Sequence, residues 1–289
     1  MKITILGAGA AEGIPAVFCR CKTCATMRNT KRFYTRTQLL IDNELLIDFP
    51  PDSYYRALYA GVNLDTVKFV LITHSHSDHF YPEDFYMRGL ESSYNIPPVL
   101  TVYGSEIIAK RLSELKAAAL KGNVVCKPIG KRNGYDVYPQ STEYDVVEPY
   151  RSFTAGRYTI TPLPSAHVPE EPSYMYAVSD KKGYSFLFAC DTAYPDSETL
   201  GFLEKKNQPF DAVFYDATFG LQPSGYGHMN LDENRRLKEE LTQRGIAKSD
   251  AVHILTHISH NVARDFSKFL SEAQKNFLVA CDGDVISLG

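Results

Sequence analysis

Tryptophan is absent from the 289-residue chain, so 19 tyrosines and 16 phenylalanines must supply its large aromatic packing. No stretch approaches the ~18 apolar residues of a membrane-crossing helix, which excludes an α-helical span. An excess of basic charge is also missing. The 31 Lys and Arg stand against 34 Asp and Glu, for a formal net charge of −3. A dedicated nucleic-acid binder carries a basic footprint that this balance lacks. Lys127, Lys131 and Arg132 make only a modest local patch, which reads as solvated surface. The opening Met1–Gly7 has one positive side chain and an apolar run too short for an export signal, and reads as a first β-strand. Cysteine is scarce, with six in all. Three of them, Cys19, Cys21 and Cys24, lie too close together for a sensible disulfide network, which suggests reduced thiols in a cytoplasmic protein. There is no linker, low-complexity run or short-period repeat. The expectation is one domain over residues 1–289, with a strands-then-helix pattern given twice.

What the chain does have is a concentration of ligand-type side chains. Val67-Lys68-Phe69-Val70-Leu71-Ile72 reads as a buried strand and ends in Thr73-His74-Ser75-His76-Ser77-Asp78-His79. Three imidazoles and a carboxylate this close are costly to bury unpaired, and they are favoured zinc ligands. His74 and His76, two apart on an extended chain, point to one side. Asp78 and His79 turn toward a neighbouring point, an arrangement that suits two adjacent ions.

The same event recurs along the chain. Strands that end near Leu163, Ala189 and Leu255 are followed by His167, Asp191 and His257. Ligands grouped at strand ends are what a site on the edge of a sheet requires. With His74, His76, Asp78 and His79 they make seven candidates, enough for two ions sharing Asp191 and a hydroxide. A further strand ends at Asp216, to which no role is given.

Other segments read as follows. Gly7-x-Gly9-x-x-x-Gly13 invites a dinucleotide reading, but no helical pattern follows, and the glycines suit a tight turn near the site. Residues 37–41 and 45–48 form a hairpin that ends at Asp48. A helix over Asp52–Ala60 closes at Gly61, and another begins at Tyr81-Pro82-Glu83-Asp84. Ser105–Lys121 is helical and closes at Gly122. Leu231–Arg244 is an amphipathic helix with Asn230 as its N-cap. A helix from about Val262 to Gln274 precedes a short terminal strand pair. His253 lies within a strand and reads as structural.

Cys19, Cys21 and Cys24 need a fourth ligand to close a tetrahedral zinc site, and His260 could supply it. Free thiols and a redox pair are the alternatives. Arg20 and Lys22 would help to depress the thiol pKa values. His228, in the loop Gly225-Tyr226-Gly227-His228 before a helix, suits a general acid near neutral pH.

His74-x-His76-x-Asp78-His79, followed in order by His167, Asp191 and His257, resembles the metallo-β-lactamase superfamily over nearly the whole chain. The resemblance implies an α/β fold, a four-layer αββα sandwich with a dinuclear site at one edge. It implies that His74, His76 and His167 hold one metal, that Asp78, His79 and His257 hold the other, and that Asp191 bridges. Asp48 matches the strand-end Asp that supports the ligand loop from behind. The cysteine cluster with His260 is similar to the structural zinc site of the cyclic-phosphate phosphodiesterases of the carbon–phosphorus lyase pathway. A quinone-cofactor biosynthesis branch carries a like cluster. His228 falls where those phosphodiesterases and ribonuclease Z keep a catalytic His. Members commonly follow the motif with glycine, whereas here Phe80-Tyr81-Pro82 follows, and that bears on the pocket wall.

The expected activity is therefore hydrolysis of a small phosphate ester, cyclic esters included, with Asp78 and His228 in catalytic roles. The expected cofactors are two divalent ions (Zn or Mn) and one structural Zn. The expected partner is a small phosphorylated substrate, not nucleic acid or a membrane, and a homodimer is compatible. Rival readings are tRNA 3′-end cleavage, lactone or thioester hydrolysis, and non-catalytic binding of a small anionic cofactor.

Overall fold

A computed structural model describes residues 1–89, 99–121, 130–132, 135–137, 142–262 and 265–289. In chain order the strands are β1 (Lys2–Gly7), β2 (Gln38–Ile41), β3 (Leu45–Ile47), β4 (Phe69–Leu71), β5 (Leu100–Gly104), β6 (Gly130–Arg132), β7 (Tyr135–Val137), β8 (Thr142–Val146), β9 (Phe153–Ala155), β10 (Tyr158–Pro164), β11 (Tyr174–Asp180), β12 (Ser185–Ala189), β13 (Phe210–Asp216), β14 (Ala247–Thr256), β15 (Leu278–Val279) and β16 (Val285–Ser287). The helices are α1 (Lys22–Thr30), α2 (Ser53–Ala60), α3 (Glu106–Lys121), α4 (Ser197–Lys206), α5 (Leu231–Gln243) and α6 (Phe266–Ala273).

Two seven-stranded sheets form, in the orders β16-β1-β2-β3-β4-β5-β8 and β15-β14-β13-β12-β11-β10-β9. In the first, β3, β4, β5 and β8 run parallel to one another and the other pairings are antiparallel. The second repeats the plan, with β12 to β15 parallel.

Period-two alternation sorts the side chains between layers. Leu39, Ile41, Leu45, Ile47 and Leu71 face the second sheet and join a core with Tyr158, Ile160, Tyr176 and Phe188. Their neighbours Leu40, Leu46, Val70 and Ile72 face outward and pack with Ile108 and Leu112 of α3. Helices α4 and α5 bury Leu200, Leu203, Leu237 and Leu241 in the larger core, on the far side of the second sheet. The result is the expected four-layer αββα sandwich. Among the described residues no helix is long and apolar enough to cross a membrane.

The local expectations fare unevenly. Gly61 closes α2 with φ 65°, a left-handed position that favours glycine. Asn230 caps α5 in a capping box with Glu233. The segment from Pro82 to Gly89 is a 3₁₀ helix, not an α-helix. The last helix begins at Asp265–Phe266, later than Val262. The two terminal strands do not pair with each other, since β15 extends the second sheet and β16 the first. Gly122 and Lys127 lie outside the described residues, as do the sequence positions on either side of the β6–β7 ribbon. Gly13 serves the expected turn, with φ 65° and its N–H on Ala10 O at 2.8 Å, whereas Gly7 and Gly9 serve close approach of backbones. A Cβ at Gly7 or Gly9 would sit 1.9 Å from Arg36 O or 2.7 Å from Tyr34 O.

Candidate metal centre

The centre lies outside the carboxyl ends of the parallel strands, where an open α/β sheet leaves a crevice. From β4 come His74, His76, Asp78 and His79; from β12, Asp191; from β13, Asp216; from β14, His257. His167 follows β10, and Asp48 follows β3. Asp48, Asp191 and His257 all have left-handed backbone, with φ of 63°, 54° and 53°. Non-glycine residues held there are strained by about 1–3 kcal/mol each and cluster at functional sites.

Two four-residue groups, each able to hold a metal ion, share Asp191: His74, His76, His167 with Asp191, and Asp78, His79, His257 with Asp191. Asp191 Oδ2 lies 3.3 Å from His74 Nε2, 3.0 Å from His79 Nε2 and 3.4 Å from His167 Nε2. His167 Nε2 lies 3.4 Å from His76 Nδ1. His79 Nε2 lies 3.1 Å from Asp78 Oδ2, and His257 Nε2 lies 3.7 Å from Asp191 Oδ1. Ligands ~2.0–2.1 Å from a tetrahedral ion are roughly 3.3 Å apart, so the spacing fits. Four of these atoms, His74 Nε2, His79 Nε2, His257 Nε2 and Asp191 Oδ1, are buried with no hydrogen-bond partner. Polar atoms left so are costly, and a cation would satisfy them.

The far ring nitrogens are held in place. His79 Nδ1 is 2.7 Å from Asp48 Oδ2, and His257 Nδ1 is 2.7 Å from Thr218 Oγ1. His74 Nδ1 is 3.0 Å from Thr73 Oγ1, and His167 Nδ1 is 3.2 Å from Gly227 O. Holding one ring nitrogen sets the tautomer and aims the other inward. Burial and the neighbouring imidazole of His79 keep His74 well below the usual imidazole range. Burial also lowers His167. Both are therefore neutral, the ligating form. Burial opposes the charge on Asp191, but His257 and His79 outweigh it and hold that carboxyl well below its ordinary value.

His228 stands beside these groups. Its Nδ1 is 2.9 Å from Asp216 Oδ2 and 3.1 Å from Asp191 Oδ1. Burial works against its charge, but the hydrogen bond and charge of Asp216 prevail and raise its pKa. Asp216 is fully buried. It also accepts from the backbone N–H of Thr218 at 2.9 Å, while Asn234 holds its carbonyl at 2.7 Å. Its signal was the same strand-end placement that marked Asp191. Asp191, Asp216, His228 and His257 form a further overlapping group able to hold an ion.

Cys19, Cys21, Cys24 and His260 meet as a separate group. Cys21 Sγ and Cys24 Sγ lie 3.5 and 3.4 Å from His260 Nδ1, a tetrahedral-edge spacing. Burial raises the Cys21 thiol pKa, but the Cys24 N–H at the start of α1 and the His260 ring bring it down to about 6. The depression does not come from Arg20 or Lys22, as the charge pattern had suggested. Burial pushes Cys24 up to about 12, so the two thiols differ in readiness to ionise.

Phe80 does not wall the cluster. It is buried with Phe49 and Phe85 on the outer face of the first sheet, and Tyr81 N–H bonds Phe49 O at 2.8 Å. The aromatic run after the motif thus anchors the ligand loop to the sheet.

The family model described as "Anti-Pycsar protein Apyc1" matches residues 25–274. The chain belongs to that family. It is similar to the anti-Pycsar protein Apyc1 of Paenibacillus harenae, at 28% identity over 194 residues, 65% of this chain and 71% of that one. It also matches an octanoyltransferase of Porphyromonas gingivalis at 43% identity over 84 residues, spanning 27% of this chain but only 16% of that relative. Among solved structures, a diphosphatase from the PhnP family superposes with a TM-score of 0.73 at 21% identity, covering 100% and 98% of the two chains. The metallo-β-lactamase fold protein YhfI of Bacillus subtilis gives 0.67 at 20% identity, covering 99% and 98%. This Apyc1-family chain thus has the metallo-β-lactamase fold.

Proposed function

We propose that the chain is a dinuclear metal-dependent phosphodiesterase that opens a small cyclic phosphate ester, with cyclic nucleotides as the substrate class. The observation that carries this reading is His228, tied through Nδ1 to Asp216 at 2.9 Å and set 3.1 Å from Asp191. Nδ1–H donates to Asp216, whose hydrogen bond and charge favour the protonated ring, and that ring carries a second proton on Nε2 that can be given away. A centre that only binds anions has no need of such a group, whereas an enzyme that must release an alkoxide does. The family name is consistent with degradation of cyclic nucleotides.

In this reading His74, His76 and His167 would hold one ion and Asp78, His79 and His257 the other, with Asp191 common to both groups. Zinc and manganese each suit such nitrogen and oxygen donors. When bound, two divalent cations supply Lewis-acid charge and lower the pKa of water into the neutral range. The two ligand carboxylates leave about +2 of their charge uncompensated, which favours a phosphate anion. Thr218, Asp48, Thr73 and Gly227 keep the ligand rings aimed inward, so nothing need reorganise during turnover. Water loses a proton to solvent and attacks phosphorus, one P–O ester bond breaks, and the departing oxygen takes the His228 proton. Cys19, Cys21, Cys24 and His260 would hold a structural zinc, which would tie the segment at the start of α1 to the residues after β14.

The test is turnover of a panel of cyclic nucleotides, linear diesters, lactones, thioesters and tRNA precursor with Zn²⁺ or Mn²⁺ added. Ring opening of cyclic phosphodiesters is expected. Turnover confined to lactones, thioesters or tRNA, or none at all, overturns the reading.

A further inference from the structure

The Ser75 backbone lies between two ligand-type residues, His74 and His76, and both its N–H and its carbonyl are gripped from outside the motif. Its N–H donates to Glu171 Oε1 at 3.0 Å, and its carbonyl accepts from the Arg111 guanidinium. Arg111 belongs to α3, and Glu171 to the loop between His167 and β11. Where that loop enters β11, Tyr174 N–H donates to Thr73 O at 2.9 Å, two residues before Ser75.

His76 is the exposed member of its group, while His74 and Asp191 are buried. Among the described residues its ring makes ring contacts only with other imidazoles, those of His74 and His167 at 4.4 and 5.2 Å between centroids. Core packing therefore does little to place it, and the backbone at Ser75 decides where its Nδ1 falls. Metal sites tolerate ligand errors of only about 0.2 Å.

We propose that Glu171 is a positioning residue for the group His74, His76, His167 and Asp191. It straps the loop that carries His167 to the segment that carries His76, so that His167 Nε2 and His76 Nδ1 lie 3.4 Å apart. The proposal rests on the reading that this group holds a metal ion. The second oxygen, Oε2, is buried and accepts no hydrogen bond, so an amide nitrogen in its place breaks nothing. Glu171→Gln keeps the acceptor for Ser75 N–H; Glu171→Ala removes it.

The experiment titrates Co²⁺ into metal-free wild type, Glu171→Ala and Glu171→Gln, following bound ions and visible absorption. The sulfur-to-cobalt band of the cysteine group reports separately on an intact fold. Wild type is expected to fill both histidine groups. Glu171→Ala is expected to weaken one of those two ions ~10–100-fold, as loss of a ligand-orienting partner does, while the other ion and the sulfur band stay. Glu171→Gln is expected to restore that affinity to within about threefold. A Glu171→Ala protein that titrates like wild type overturns the proposal alone, as does a Glu171→Gln protein as weak as Glu171→Ala. A wild type that takes up Co²⁺ only at the cysteines overturns the metal reading together with it.

Discussion

Replacing Asp48 by Asn is the sharpest probe of how the centre is built. Asp48 is fully buried. Its Oδ1 accepts from Thr73 N–H at 2.8 Å and Thr73 Oγ1 at 3.0 Å, and its Oδ2 faces His79 Nδ1 at 2.7 Å. Asn has the same shape and tolerates the left-handed backbone there, so neither packing nor strain changes. The amide oxygen stays with Thr73 N–H, which leaves an N–H donor facing His79 Nδ1. That nitrogen must then accept, and the ring proton moves to Nε2. Nε2 is the atom 3.0 Å from Asp191 Oδ2 and 3.1 Å from Asp78 Oδ2, and once protonated it cannot ligate. Turning the amide over instead leaves Thr73 N–H facing another donor. Either route forfeits a hydrogen bond to a charged group, about 1.5–3 kcal/mol. At ~1.4 kcal/mol per factor of ten, metal affinity should fall ~10–100-fold. Competition against a fluorescent chelator measures this, and melting in EDTA checks the fold. A variant that binds metal within about threefold of wild type would refute the tautomer argument.

Three further outcomes are expected. His228→Ala should lower kcat on a cyclic phosphodiester by ~10²–10⁴ with metal content unchanged, since only the proton donor is lost; an unchanged kcat removes His228 from catalysis. Cys21→Ser should lose one bound zinc and lower the melting temperature while the two histidine groups stay loaded, and unaltered stoichiometry by elemental analysis argues against a structural zinc. His253 is kept down to about 4 by burial and by Lys238, against an ordinary value of 6.5. Its neutral form is thus favoured in the folded state. The stability that follows is present above pH ~6.5 and lost as pH falls toward ~4. Allowing for solvent screening, the loss is about 1–2 kcal/mol. His253→Gln, which keeps a partner for the Tyr215 hydroxyl, should flatten denaturant midpoints over that window, and equal slopes for both proteins would contradict this.

How much of the site could be read in advance depends on how each residue reaches it. His74, His76, Asp78 and His79 are legible because one short stretch carries them past a strand end. His167, Asp191 and His257 are legible as a set, because each follows a buried strand and the first four cannot close two sites. Asp216 has the same strand-end signature, but its role appears only once β13 lies beside β12 and brings it to His228. Glu171 has no signature at all, since it sits in a loop and acts on a peptide 96 residues away. The source of the Cys21 shift is hidden from the sequence for a related reason. Arg20 and Lys22 are near in sequence, but the Cys24 N–H and His260 are near in space.

Alternating apolar residues, turn glycines and clustered ligands are local properties, and from them follow the layers, the strand ends and the chemistry available. The resemblance carried by the ligand motif then supplied the αββα arrangement, which the two sheets bear out. Which terminal strand joins which sheet, which nitrogen of each ring faces inward, and which carboxylate holds His228 are decided by contacts between distant segments. Such contacts depend on distances of a few tenths of an ångström, and no pattern along the chain encodes them.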